Sequence, residues 1–239
     1  YNTTSEGTLI PINQTTYMDL KTDILDIDNV EGVSGEVHGS VSIFNQNSRL
    51  SQPNVRLLGM DFDESGGFSP FYKEGESFQP DLNEGEIYID KELAEYLEAE
   101  KDDRLLLYSS GFPQGRDFTV KDVIENEGRA AFRGSGKVIM SLTDAQLALN
   151  LPEQINYVRI TSIGGVESGI EYSDQIYSDI EDLLDENSEY RVLEAGNNKK
   201  AVLDEFKQQM SQFSDIFFIF GTFSIIAGII LAVNIFVML

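Results

Sequence analysis

Tyr157-Val158-Arg159-Ile160-Thr161-Ser162-Ile163 is the stretch from which the rest of the chain is read. Its β-branched and apolar residues predict a strand over 157–163, followed by a helix from about 166 to 184. Tyr190-Arg191-Val192-Leu193 then predicts a second strand. The chain opens in the same order. A strand is expected over 8–12 and a helix over 15–27, with Met18, Leu20, Ile24, Leu25 and Ile27 on its apolar side. Strands over 33–44 and 55–60 follow. Strand, helix and strand at both ends predict a split two-layer α+β domain built from 1–60 and 151–196. Residues 61–150 are then a smaller inserted α+β module.

The insert begins with Gly66-Gly67-Phe68-Ser69-Pro70-Phe71-Tyr72, which reads as an aromatic loop. Strands are expected over 86–89, 104–108, 118–125 and 137–140, and helices over 91–98 and 143–149, the latter capped by Thr143.

Beyond 196 the pattern changes. Val202, Leu203, Phe206, Met210 and Phe213 fall close to one helical face, and no Pro or Gly interrupts 198–220, so 197–215 is expected to be a continuous stalk helix. From Ile216-Phe217-Phe218-Ile219-Phe220 to Leu239 there is no charged side chain. About 20 apolar residues at about 1.5 Å each span a hydrocarbon core of roughly 30 Å, so 216–239 reads as a transmembrane helix. A buried core helix normally runs shorter and keeps a polar stripe. Gly221, Ser224, Gly228 and Ala232 recur at steps of three and four, a spacing that suits helix packing in lipid; small residues are also simply common in membrane helices. The chain starts at Tyr1 without an apolar leader and stops at Leu239 without a polar flank, and is expected to be part of a longer polypeptide.

The formal charge of −24, from 41 acidic and 17 basic side chains, lies wholly before residue 216. Such a domain repels nucleic acid, whose phosphates call for basic patches, and it lacks the Lys and Arg excess of a cytoplasmic flank. Residues 1–215 are therefore expected outside the cytoplasm, with the acidity suiting a salt-rich exterior. Asn2-Thr3-Thr4 and Asn13-Gln14-Thr15 are acceptor sequons for N-glycosylation. There is no cysteine, so redox compartment cannot be read.

The order of several segments resembles the extracytoplasmic core domain of FtsX-like and MacB-like ABC transporter permeases. The segments are Val30-Glu31-Gly32-Val33; Val55-Arg56-Leu57-Leu58-Gly59-Met60-Asp61; Gly85-Glu86-Ile87-Tyr88-Ile89-Asp90-Lys91-Glu92-Leu93-Ala94; Phe118-Thr119-Val120-Lys121-Asp122-Val123; and Val138-Ile139-Met140-Ser141-Leu142-Thr143-Asp144-Ala145-Gln146. Lys101-Asp102-Asp103-Arg104-Leu105 departs from the Gly-Asp pair usual there. The resemblance implies a porter-like α+β layer near the membrane with an inserted module. It also implies a permease with one helix before Tyr1 and others after Leu239, working as a dimer with cytoplasmic ABC ATPase subunits that bind the ATP. No cofactor is implied in this chain. The role implied is mechanotransmission, in which ATP-driven closure moves the external domain. The rival readings are a sensor ectodomain and a single-span anchored binding protein.

Enzymatic signals are sparse. His38, the single histidine, lies in an alternating strand segment, which leaves His-dependent triads and His-rich metal sites little to work with. Ser34 in Gly32-Val33-Ser34-Gly35 misses the nucleophile-elbow spacing by one residue. Gly134-Ser135-Gly136-Lys137 resembles the end of a phosphate loop, but Val138 stands where Ser or Thr is needed. Asp61, Asp63 and Ser65, followed by Gly66, match the opening of a calcium loop whose closing Glu would fall at Tyr72. The aromatic residues Phe68, Phe71, Tyr72 and Phe78 are candidates for partner contact, with core packing of these rings the alternative.

Overall fold

The computed structural model describes residues 10–64, 66–131, 136–164, 170–187, 190, 193–196 and the single positions 220, 223, 227 and 228. A short strand β1 (Ile12–Asn13) leads into helix α1 (Gln14–Leu25), started by the Asn13 side chain, which accepts from the Thr15 amide at 2.8 Å. Two long strands follow, β2 (Val30–Asn45) and β3 (Ser51–Met60). A hairpin of β4 (Phe71–Lys73) and β5 (Glu76–Phe78) occupies part of the stretch expected to be loop. Then come β6 (Glu86–Asp90), α2 (Lys91–Leu97), β7 (Arg104–Tyr108), β8 (Arg116–Ile124), a 3-10 turn (Gly128–Ala130), β9 (Lys137–Ser141) and α3 (Leu142–Leu149). Helix α3 is capped by Ser141, not Thr143, through a 3.1 Å bond from the Asp144 amide. The chain continues as β10 (Gln154–Ile155), β11 (Tyr157–Ser162) and α4 (Ile170–Glu186).

Seven strands form one sheet in the order β11-β2-β3-β9-β6-β8-β7. The second half of β2 also pairs with β7, from Ser42 opposite Tyr108 to Asn45 opposite Leu105. Six strands thereby close into a ring, and β11 extends it along the first half of β2, with Tyr157 opposite Glu36 and Arg159 opposite Ser34.

Alternation explains the two cores. Val41, Ile43, Val55, Leu57, Ile87, Ile89, Leu105, Leu107, Phe118, Val120, Val138 and Met140 come from all six ring strands and are buried in one cluster, so they fill its inside. The same cluster continues under α1 and α4 through Val33, Val37, Tyr17, Leu20, Ile24, Ile176, Ile180 and Leu184. Met18 and Leu25, expected on the apolar side of α1, are exposed, and Tyr17 takes the inward place. Side chains of opposite parity, Leu58, Met60, Tyr88 and Ile139, form a second cluster outside the ring with Phe71, Ala130 and Ile124, the last turned outward by a register shift between β6 and β8.

Residues 1–196 form one compact unit and 197–239 another. The stalk and transmembrane segments expected over 197–215 and 216–239 lie outside the described residues apart from four positions. Phe220, Phe223, Ala227 and Gly228 are helical and exposed. Among the described residues no helix is long and apolar enough to cross a membrane.

Candidate functional site

Strand β2 is polar where a buried strand is ordinarily apolar. Ser34, Glu36 and His38 stand at alternate positions and share one face, and Ser34 and Glu36 are wholly buried. Arg159 on the adjoining strand answers the charge. Its Nε lies 2.8 Å from Glu36 Oε1, and its Nη2 donates to Glu36 Oε2 at 3.0 Å. His38 Nε2 meets the same Oε2 at 2.7 Å, and its ring stacks on Tyr157 at 4.1 Å.

Asn156 completes the pairing at the point where β11 begins. Its side chain accepts from the His38 amide and donates to the His38 carbonyl, each at 2.7 Å, replacing the ladder bonds a further strand residue would make. Arg129, from the 3-10 turn, closes the far side: it donates to Ser34 Oγ at 3.0 Å and to the Asp61 carbonyl at 3.2 Å, and lies over the Phe68 ring at 4.8 Å.

Burial works against ionisation at Glu36, His38 and Arg129. At Glu36 burial pushes the pKa up, but the charge of Arg159 and the bond to His38 outweigh it, and the carboxyl is held below its ordinary range. At His38 burial wins over the pull of Glu36 and holds the imidazole below its usual value. Burial also lowers Arg129. Chemically the arrangement is a clamp: one ionised carboxylate and one imidazole hold the first half of β2 to β11.

A second hub ties α1 to the loop after β3. Glu64 accepts from Tyr17 Oη at 3.0 Å, from Lys21 Nζ at 2.5 Å and from the Gly35 amide at 3.0 Å. Burial and the Glu64 carboxylate together push the Tyr17 phenol well up from its ordinary range. A side chain at residue 35 would collide with the Tyr17 ring, 2.7 Å from where its Cβ would stand.

The residues singled out in the sequence fall in several places. Phe71 is buried, with Phe62 at 6.0 Å, Phe78 at 6.1 Å and Tyr88 at 6.5 Å between ring centres. Phe68 and Tyr72 are half-buried. Asp61 Oδ1 accepts from the Asp63 amide at 2.9 Å, forming a turn; Ser65 lies outside the described residues. Among those residues no three acidic, histidine or cysteine side chains are grouped to hold a metal ion. Buried Lys137 bonds Asn126, with Asp90 4.0 Å away, and its amine is lowered by burial. At Gly228 an added Cβ would meet nothing within 4 Å among the described residues; Gly221, Ser224 and Ala232 are outside the described residues.

Glu36, Arg159, Arg129, Asn156 and Glu64 were not found by sequence reasoning. The signal in the sequence was a run of polar residues at alternate positions of one strand, Ser34, Glu36, His38, Ser40 and Ser42.

No protein-family model matches the chain, and no curated protein does. Solved structures similar to it include the following two. The periplasmic region of MacB from Actinobacillus actinomycetemcomitans is 13% identical, with 70% of this chain and 73% of that chain covered at a TM-score of 0.43. The extracellular domain of the noncanonic ABC-type transporter YknZ from Gram-positive bacteria is 12% identical, with 72% and 84% covered at a TM-score of 0.45.

Proposed function

We infer that this chain is the extracytoplasmic part of an ABC transporter permease, and that it converts ATP-driven movement in the cytoplasm into movement outside. The observation that carries the reading is the uncharged run 216–239, reached from the acidic domain without an intervening Pro or Gly. A stiff helix transmits a tilt that a glycine-rich linker would absorb. The concentration of all the charge before residue 216 supports an outside location. The order of the permease-like segments supports the family.

In this reading 1–60 and 151–196 form the membrane-proximal layer, 61–150 the insert, 197–215 the stalk and 216–239 a membrane span. The span packs through Gly221, Ser224, Gly228 and Ala232 against other helices of a permease dimer, and the ATPase binds elsewhere on the parent protein. The ring of strands suits the role, because a closed sheet has few ways to yield and moves as one body.

Purification of the full-length parent in mild detergent tests this. A stoichiometric ATPase subunit in the purified complex is the expected outcome. A parent that purifies alone and continues into a cytoplasmic kinase or a short basic tail would transfer the assignment to a sensor or an anchor.

A further inference from the structure

We propose that Asn13 is an N-glycosylation site, taking an oligosaccharide from a lipid-linked phosphate donor. The proposal rests on the extracytoplasmic reading above. Asn13, Gln14 and Thr15 are all exposed at the start of α1. Among the described residues Asn13 begins the one acceptor sequon, and its carboxamide is used in a way that leaves the reacting atom available. Asn45, Asn47, Asn83 and Asn156 each spend their Nδ2 as a donor, to the Leu97 carbonyl, Asp103, Glu86 and the His38 carbonyl respectively. Those nitrogens are committed to the fold. Among the described residues, Asn13 engages only its oxygen, which caps α1 by accepting from the Thr15 amide.

N-glycosylation uses the other atom. The bond from sugar C1 to the donor's phosphate oxygen breaks, C1 bonds to Nδ2, one amide proton leaves to the medium, and the lipid phosphate departs. The carbonyl oxygen keeps its lone pairs, so the cap survives the modification. The exposed Thr15 supplies the hydroxyl residue at the position the acceptor motif requires, and its backbone amide stays in the cap. Attachment here adds a solvated sugar beside the strand pair β1 and β10 without displacing any contact of the core.

The test uses the full-length protein in its native cells. Cleavage after Glu6 and Lys21 separates Asn13 from the sequon at Asn2, and mass spectrometry of peptide 7–21 reads the modification. A membrane-impermeant amine reagent on intact cells reads the location in parallel. The expected result is external labelling, together with a sugar mass on peptide 7–21 that is lost in Thr15→Ala, a change that leaves the capping bond intact. External labelling with a bare peptide 7–21 overturns the glycan and leaves the location standing. Labelling only after permeabilisation overturns the location, and the glycan with it.

Discussion

Arg159 and Glu36 face each other across neighbouring strands with Nε 2.8 Å from Oε1, and the Glu36 side chain has no exposure to solvent at all. The pair joins residues 123 positions apart in the chain. Its energetics depend on both partners being present, because an isolated buried carboxylate is costly while a well-packed apolar pair in the same space is not. Arg159→Met is therefore expected to destabilise the domain by about 3 kcal/mol. The double change Glu36→Leu with Arg159→Met recovers most of that loss. Urea denaturation of the wild type, the single and the double variant checks this; a double variant no more stable than the single one sinks the clamp.

His38 and Glu36 both bind protons less readily in the fold than in the unfolded chain, since both are held below their ordinary values. Above 6.5, the ordinary value of His38, their contribution to stability is complete. As pH falls through that value the unfolded chain takes up a proton that the fold resists, and below 4.5 the same holds at Glu36. Stability is expected to decline in two stages on acidification. Because His38 is the only histidine, His38→Gln should flatten the stage between about pH 7.5 and 5.5. Midpoints of thermal unfolding across that range decide the matter, and an unchanged slope in the variant would count against the assignment.

Helix α3 sits directly on β3 at Gly59, where a Cβ would stand 2.0 Å from that of Ala145. Gly59→Ala must push the helix outward and is expected to cost about 1–3 kcal/mol. Ala145→Gly in the same chain should restore part of it. Additive losses in the double variant would show that the close approach is not the cause.

The buried ring of Phe71 organises the cluster outside the strand ring, meeting Phe62, Phe78 and Tyr88. Phe71→Ala is expected to cost about 3–5 kcal/mol, while Phe68→Ala, at a half-buried ring, costs less. Chemical denaturation ranks the two, and equal effects would contradict the packing described.

Local structure was largely legible in the sequence, and its closure was not. The strands at 104–108 and 137–140 and the helices near 91–98 and 143–149 announced themselves by alternation and helical spacing. The hairpin of β4 and β5 was hidden because Gly and Pro around Phe71 signal a loop, whereas burial of that ring fixes the strands. The pairing of β2 with β7 was invisible because register over such a separation is set by the shape of the core. Glu36 was one carboxylate among 41, and only Arg159, brought beside it by the fold, marks it out.

The length of β2 also governs what happens while the chain is being made. On the edge away from β3, its second half can pair once β7 has emerged, but its first half waits for β11, more than 100 residues after it. During that interval β2 offers an open edge to any passing strand, the usual starting point for aggregation. Until Arg159 arrives, the uncompensated Glu36 makes that edge costly for a foreign strand to bury. The same carboxylate that ends as a clamp begins as a gatekeeper for the nascent protein.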